Sequence, residues 1–233
     1  MSQQVVVISG ASRGIGLELV HQYVLQGCKV FAGVRNPAKA RELEDFEKSS
    51  RGLLKVFALD VADDKSVTEF AKAVGHETGS VDLLINNAGI YLDGDLTIDN
   101  IDSKTLIDTL NTNSVGPLRL TQALLPLLVK AENPKVATLS SLMGSIGDNT
   151  SGGSYAYRMS KSAVNMFVRT LAIEERDLIA IALHPGWVQT EMGGERAPLP
   201  ISKSVEGLLT VIASASRADS GKFFNHAGRE LPW

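Results

Sequence analysis

Tyr157 and Lys161 stand four residues apart in the run Tyr155-Ala156-Tyr157-Arg158-Met159-Ser160-Lys161. On a helix that spacing puts both side chains on one face. A phenol titrates near pH ~10 and is a weak acid–base catalyst at neutral pH. An ammonium beside it favours the phenolate and lowers that value. The pair is thereby tuned toward general acid–base work. Tyr155 is six residues from Lys161 and falls off the shared face. The same spacing occurs on ordinary helix surfaces, so the reading depends on what else converges there.

Two apolar runs end in small polar residues that could join the pair. Val136–Leu139 continues into Ser140-Ser141, and Val81–Ile85 into Asn86-Asn87-Ala88-Gly89. Doubly wound sheets bind ligands at the carboxyl ends of their strands. A serine hydroxyl there can hold a carbonyl oxygen beside the tyrosine. Asn87 can hold backbone or cofactor geometry, and Gly89 admits a close approach. Taken singly, each segment is also ordinary turn chemistry.

A third element would bring a cofactor. The run Val5–Ile8 passes directly into Ser9-Gly10-Ala11-Ser12-Arg13-Gly14-Ile15-Gly16, and a helical pattern follows. Glycines in such a loop let the backbone approach a pyrophosphate, and the helix N-terminus offers oriented N–H groups. The spacing is G-x-x-x-G-x-G rather than G-x-G-x-x-G, so position after the first strand carries the argument. NAD-binding domains place an acid ~20 residues further on, against the ribose 2′-hydroxyl. This chain has Val34-Arg35 there. An arginine can grip a 2′-phosphate through paired, charge-assisted hydrogen bonds. Arg13 would reach it from the loop, and the two together point to NADP.

These pieces need a frame that carries them to one edge. Val5–Ile8, Val30–Val34, Leu54–Leu59, Val81–Ile85, Val136–Leu139, Ile179–Leu183 and Lys222–Phe224 read as strands. They are nearly all apolar, as strands covered on both faces must be. Between them lie helical stretches at Gly14–Gln26, Ala38–Ser49, Lys65–Glu77, Ser103–Lys130, Tyr157–Arg176 and Ser202–Ser214. Such alternation predicts an α/β fold: a doubly wound parallel sheet of Rossmann type with about seven strands. With no repeat, linker or low-complexity segment, residues 1–233 read as a single domain.

Composition narrows the partners. The net charge is −3, with 23 Lys+Arg against 26 Asp+Glu, so no basic surface is set up for nucleic acid. No apolar run approaches the ~18 residues of a membrane span. The lone Cys28 gives no internal disulfide, and His21, His76, His184 and His226 are scattered without metal-ligand spacing. A cytoplasmic protein acting on a small molecule, without metal, nucleic acid or membrane, is the expectation. His184, just before Pro185-Gly186, reads as a packed residue ending its strand.

Together the motifs resemble the short-chain dehydrogenase/reductase family over essentially the whole chain. They are the loop Gly10–Gly16, Asp60-Val61, Asn86–Gly89, Asn113, Ser141, Tyr157 with Lys161, and Pro185-Gly186 followed by Val188 and Thr190. The sequence is most similar to the C-factor-like group and the small carbonyl reductases. That likeness is carried by Tyr155–Lys161, by His184–Val188 through Met192-Gly193-Gly194, and by Gly228–Trp233. It implies roles. Tyr157 would protonate the carbonyl oxygen and Ser141 would orient it. Lys161 would bind the nicotinamide ribose and depress the tyrosine pKa, and Asn113 would hold a water relaying protons to the lysine. Gly10, Ser12, Arg13, Gly14, Ile15 and Gly16 would cradle the pyrophosphate. Asp60 and Val61 would border the adenine. Asn87, with Ala88 and Gly89, would lie along the adenosine ribose. Pro185, Gly186, Val188 and Thr190 would flank the nicotinamide. Ser9 departs from the family, which often has Thr there.

The resemblance implies an NADP(H)-dependent oxidoreductase that moves hydride between nicotinamide and a carbonyl or alcohol substrate. The alternative is a C-factor-like signalling or regulatory protein that binds NADP(H) with little turnover. Homodimers or homotetramers through the Tyr157 helix are common in the family. Glu191–Ile201, without an apolar period, is expected to be a mobile lid over the substrate.

Overall fold

The run Val5–Ile8 has no polar side chain to send toward water. In the computed structural model, which describes residues 3–233, it becomes the fully buried strand β1 (Val5–Ser9). The other apolar runs follow as β2 (Lys29–Val34), β3 (Leu54–Ala58), β4 (Leu83–Asn86), β5 (Lys135–Leu139), β6 (Ile179–His184) and β7 (Lys222–Asn225). They form one seven-stranded sheet in the order β3-β2-β1-β4-β5-β6-β7. Every neighbouring pair is parallel. Strand order reverses between β1 and β4, and that is where such sheets open a crevice at their carboxyl ends.

Successive strand residues point to opposite faces, and each face has its own helices. Val6 and Ile8 pack with Leu19 and Val20 of α1 (Gly14–Leu25) and with Val205 and Leu208 of α7 (Ile201–Ser214). Leu43 of α2 (Arg41–Ser49) joins that core. Val5 and Val7 pack with Phe70 of α3 (Asp64–Glu77), Leu120 and Leu124 of α5 (Gly116–Leu128), and Val164 and Val168 of α6 (Tyr155–Glu174). A fully buried side chain of this size contributes ~1.5–3 kcal/mol. The two layers therefore fix the helices far more firmly than local propensity does.

The stretch Ser103–Lys130, expected as one helix, is divided. α4 (Ser103–Leu110) starts at the side-chain cap of Asp102 and runs into a π turn at Asn111–Val115 before α5 begins. There the Gly116 N–H reaches back five residues to the Asn111 carbonyl. Hydrophobic periodicity cannot register one wide turn inside a long helix, and such turns favour functional positions. α6 also starts at Tyr155, two residues earlier than the apolar pattern suggested. Among the described residues no helix is long and apolar enough to cross a membrane.

Candidate active site

The loop between β1 and α1 is bound to the ends of β2 and β4. Gly10 has φ +67°, and a Cβ on it would sit 2.7 Å from the Ala88 Cα. A Cβ on Gly16 would sit 2.3 Å from the Gly10 carbonyl oxygen. Only hydrogen fits at either place, so the loop packs directly against the end of β4 and against its own backbone. Asn87 Nδ2 donates to the Ser9 and Gly10 carbonyls, both at 3.0 Å. The Ser9 hydroxyl accepts from the N–H groups of Asn87 (3.1 Å) and Ala88 (3.2 Å). Asn87 is thus committed to loop backbone, and the ribose role implied by the resemblance does not follow for its amide nitrogen. Ser9, the departure from Thr, uses only its hydroxyl here.

The start of α1 has neither a side-chain cap nor an acidic residue in its first turn, so its N–H groups and partial positive charge suit an anion. Ser12 is exposed, and Ile15 is half-buried against the core. Arg13 pairs with Glu191 on the loop after β6. Beside this pair, a Cβ on Gly14 would touch Thr190 at 3.4 Å, so the two loops meet over the crevice. Arg35 is exposed at the end of β2. At the end of β3, Asp60 Oδ1 accepts from the Ala62 N–H at 3.0 Å, and Val61 is buried with its carbonyl held by Arg119 at 2.6 Å.

The loop after β6 carries the expected lid segment and is held at its base. Gly186 has φ +90°, and the Pro185 carbonyl accepts from Ser204 at 2.6 Å. Val188 is buried and bridged to Leu199. Trp187 Nε1 donates to the Gly193 carbonyl at 2.7 Å, and the Gly193 N–H donates to Thr190 Oγ1 at 3.0 Å. Within Glu191–Ile201, Gly193 and Leu199 are the points joined to Trp187, Val188 and Thr190 at its base.

Across the crevice lie the residues that opened the argument. The Ser141 hydroxyl lies close enough to the Tyr157 phenol to pull its pKa down. Ser141 Oγ also accepts from the Met143 N–H at 3.2 Å, fixing a short 3-10 turn. Ser140 turns away, donating to Asn165 Oδ1 at 2.6 Å inside the core, so only Ser141 faces the tyrosine. Lys161 is buried, its Nζ 5.6 Å from the centre of the Tyr157 ring and 2.7 Å from the Leu139 carbonyl to which it donates. Gly89 lies between this lysine and Asn113: a Cβ there would be 3.7 Å from Nζ and 3.3 Å from Asn113 Oδ1.

Electrostatics reverse one expectation. Burial pushes the Tyr157 phenol up to about 12, the Ser141 hydroxyl pulls the other way, and neighbouring Tyr91 adds to the rise. Burial also pushes the Lys161 ammonium down to about 8. Desolvation dominates both groups, and one of the three lysine N–H groups is given to Leu139. Burial sets the direction of the tyrosine shift in this arrangement. Asn113, in the π turn, accepts from the Ile90 N–H at 2.8 Å and donates to the Ile90 carbonyl (2.8 Å) and Ser160 Oγ (3.0 Å). These bonds use both amide protons and one of the two acceptor positions of Oδ1. His184 is packed and neutral: burial, then His226, push it down to about 4.

Two residues of the β4–α4 loop escaped sequence reasoning. The Tyr91 ring lies 4.8 Å from that of Tyr157, and Asp93 is fully buried against the start of α6. Neither belongs to a periodic pattern, and only their place just after Asn86–Gly89 marked the region.

A doubly wound parallel sheet with a glycine loop at its switch point, and Tyr, Lys and Ser at the same edge, defines a Rossmann-type oxidoreductase. The family model for short chain dehydrogenases matches residues 4–198, and the chain belongs to that family. C-signal of Myxococcus xanthus is 46% identical over 160 residues, 67% of this chain and 95% of that protein. The carbonyl reductase Sniffer of D. melanogaster superposes with a TM-score of 0.94 at 33% identity, covering 100% of both chains. An NADPH-bound carbonyl reductase from chicken fatty liver gives 0.93 at 35%, again over 100% of both.

Proposed function

We propose that this protein reduces a ketone or aldehyde with NADPH, and that Tyr157 protonates the carbonyl oxygen. The observation that carries the reading is the meeting of the Ser141 and Tyr157 hydroxyls at the sheet edge that also bears the glycine loop. The loop fits a dinucleotide, because α1 begins uncapped and without acid at the sheet's switch point, and Gly10 and Gly16 let the loop backbone pack tightly against the end of β4 and against itself. Gly10–Gly16 would hold the pyrophosphate, Arg35 and Arg13 the 2′-phosphate, and Pro185–Thr190 the nicotinamide end. When bound, the cofactor supplies the hydride.

The remaining work falls to side chains. A phenol held near 12 carries its proton at neutral pH, so Tyr157 is set up to give a proton rather than take one. That suits reduction. Ser141 accepts or donates as needed and fixes the carbonyl oxygen beside the phenol. Lys161, poised near 8, can hand its proton on to the tyrosine once it leaves Leu139. The names of the structural neighbours, carbonyl reductases with NADPH among them, support the same reading.

The test is the loss of reduced-nicotinamide absorbance across a panel of ketones and aldehydes, for wild type and Tyr157→Phe. Loss of a general acid lowers rate by ~10²–10⁴-fold, while NADPH affinity should stay the same. Unchanged turnover in the phenylalanine variant refutes the assignment. The similarity to C-signal keeps a second reading, a signalling protein that binds cofactor without turnover. Wild type that binds NADPH tightly but consumes it with no carbonyl would favour that reading.

A further inference from the structure

The first N–H groups of a helix have no partner within it, and the residue before the helix usually accepts from them with its side chain. α6 departs from this pattern. Its cap residue, Ser154, is left-handed at φ 49° and ψ 50° and makes no side-chain cap bond. The Ser154 hydroxyl is instead 2.7 Å from Tyr91 Oη. The accepting side chain comes from another element, Asp93 in the β4–α4 loop. Its Oδ2 accepts from the N–H of Ala156 at 2.7 Å and of Tyr157 at 3.4 Å. The second of these is the backbone of the proposed proton donor.

Asp93 is 0% exposed, and its Oδ1 is buried with no hydrogen bond inside the protein. Burying a carboxylate with one oxygen unpaired is a poor way to gain stability. The approach to α6 is strained at one residue as well: Ser154 has positive φ, whereas Gly152 and Gly153 adopt positive φ without penalty. Arg158 Nε ties down the carbonyls of Gly152 (3.1 Å) and Gly153 (3.0 Å). Strain of this kind persists where the surroundings over-determine a conformation, and it concentrates at active sites. Tyr157 is thus held from two sides. Ser141 on the β5 loop meets its hydroxyl, and Asp93 on the β4 loop holds its backbone.

We infer that Asp93 is a positioning residue: by capping the first turn of α6 it sets where the Tyr157 hydroxyl stands relative to Ser141. The inference rests on Tyr157 being the proton donor. A misplacement of ~1 Å at a reacting group can cost ~10²-fold in rate, so the cap matters to chemistry beyond its share of folding.

Asp93→Ala and Asp93→Asn separate this from a purely structural cap. Two quantities are measured: kcat and KM per NADPH-binding site, with sites counted by titration, and hydrogen exchange of the Ala156 and Tyr157 amides in the cofactor-free protein. The alanine variant should lose roughly 10- to 100-fold in kcat, with KM and NADPH affinity within about twofold. Its Ala156 amide should exchange at least about tenfold faster. The asparagine variant keeps an acceptor oxygen at the same reach and should recover kcat to within about threefold. Should the alanine variant bind no NADPH, Asp93→Ser, too short to reach the amides, is measured in its place. Wild-type kcat per site in the truncated variant overturns the inference, as does asparagine no better than alanine. Unchanged amide exchange overturns it whatever the activity. A wild type that consumes no NADPH with any carbonyl instead sinks the proposed function, and the exchange result still decides whether Asp93 holds the turn.

Discussion

Lys161 is a buried ammonium whose stability effect can be worked out and measured. It is 5% exposed, and burial alone takes it from the ordinary 10.5 to about 8. Below pH 8 folded and unfolded chains both hold the proton, and the folded state bears the whole desolvation cost. At ~1.4 kcal/mol per pH unit, that cost is about 3 kcal/mol. Between pH 8 and 10.5 the unfolded chain binds more protons than the folded one, so stability rises with pH. Above 10.5 the penalty is gone. Lys161→Met keeps the length and apolar stem and removes the charge. It also strips the Leu139 carbonyl of its 2.7 Å donor, a loss of ~1–3 kcal/mol. The variant should therefore range from equally stable to about 2 kcal/mol more stable than wild type at pH 7, and it should have little activity. Its stability should lack the rise that wild type shows between pH 8 and 10.5. Urea unfolding of cofactor-free protein at steps across that window reads both effects. Lys135, lowered by burial, and Cys28, raised by burial and then Asp82, are shared by both proteins; the difference between the two cancels their contributions. Parallel stability curves for wild type and variant would show that Lys161 titrates normally, and the reasoning would be wrong.

Two further outcomes concern the cofactor. Arg35→Ala should weaken NADPH binding about tenfold and leave NADH nearly unchanged, the low end for a charge-assisted contact because Arg35 is exposed; equal loss for both cofactors in paired titrations would reduce Arg35 to a solvated charge. Glu191→Gln frees Arg13 from an ion pair whose side chains are 65% and 72% exposed. Such a pair contributes ~0–1 kcal/mol, so NADPH affinity should rise by no more than about fivefold and the gain should fade with salt. Weaker binding in this variant would mean that Glu191 does not compete for the arginine.

The sheet was legible because most strands are short, nearly all apolar runs, as strands covered on both faces must be; the edge strand β3, with Lys55 and only Leu54 buried, fits that pattern least. The glycine loop was legible from its place after Val5–Ile8. What escaped depends on meetings between segments far apart in the chain. Nothing near Asn87 reveals that its amide serves Ser9 and Gly10. Ser140 and Ser141 look alike until the Asn165 side chain claims one of them. The i, i+4 spacing put Lys161 beside Tyr157 correctly, but it could not tell that burial outweighs their mutual charge effect. Asp93 is one acid in a loop until α6 arrives without a cap of its own.

The wide turn at Asn111–Val115 shifts the phase of everything after it. An α-helix advances ~100° per residue, and the five-residue reach from Gly116 to Asn111 inserts a step that the regular repeat does not count. α4 can therefore address α6 while α5 addresses α3 and the sheet. Tightening this turn to regular α geometry with every residue kept would swing Leu120 and Leu124, both 0% exposed, ~100° away from the core. The wide turn thus absorbs one residue more than a straight helix would hold and keeps α5 in phase with the core. The side chains of the segment bearing Asn113 sit where they do because the turn is wide.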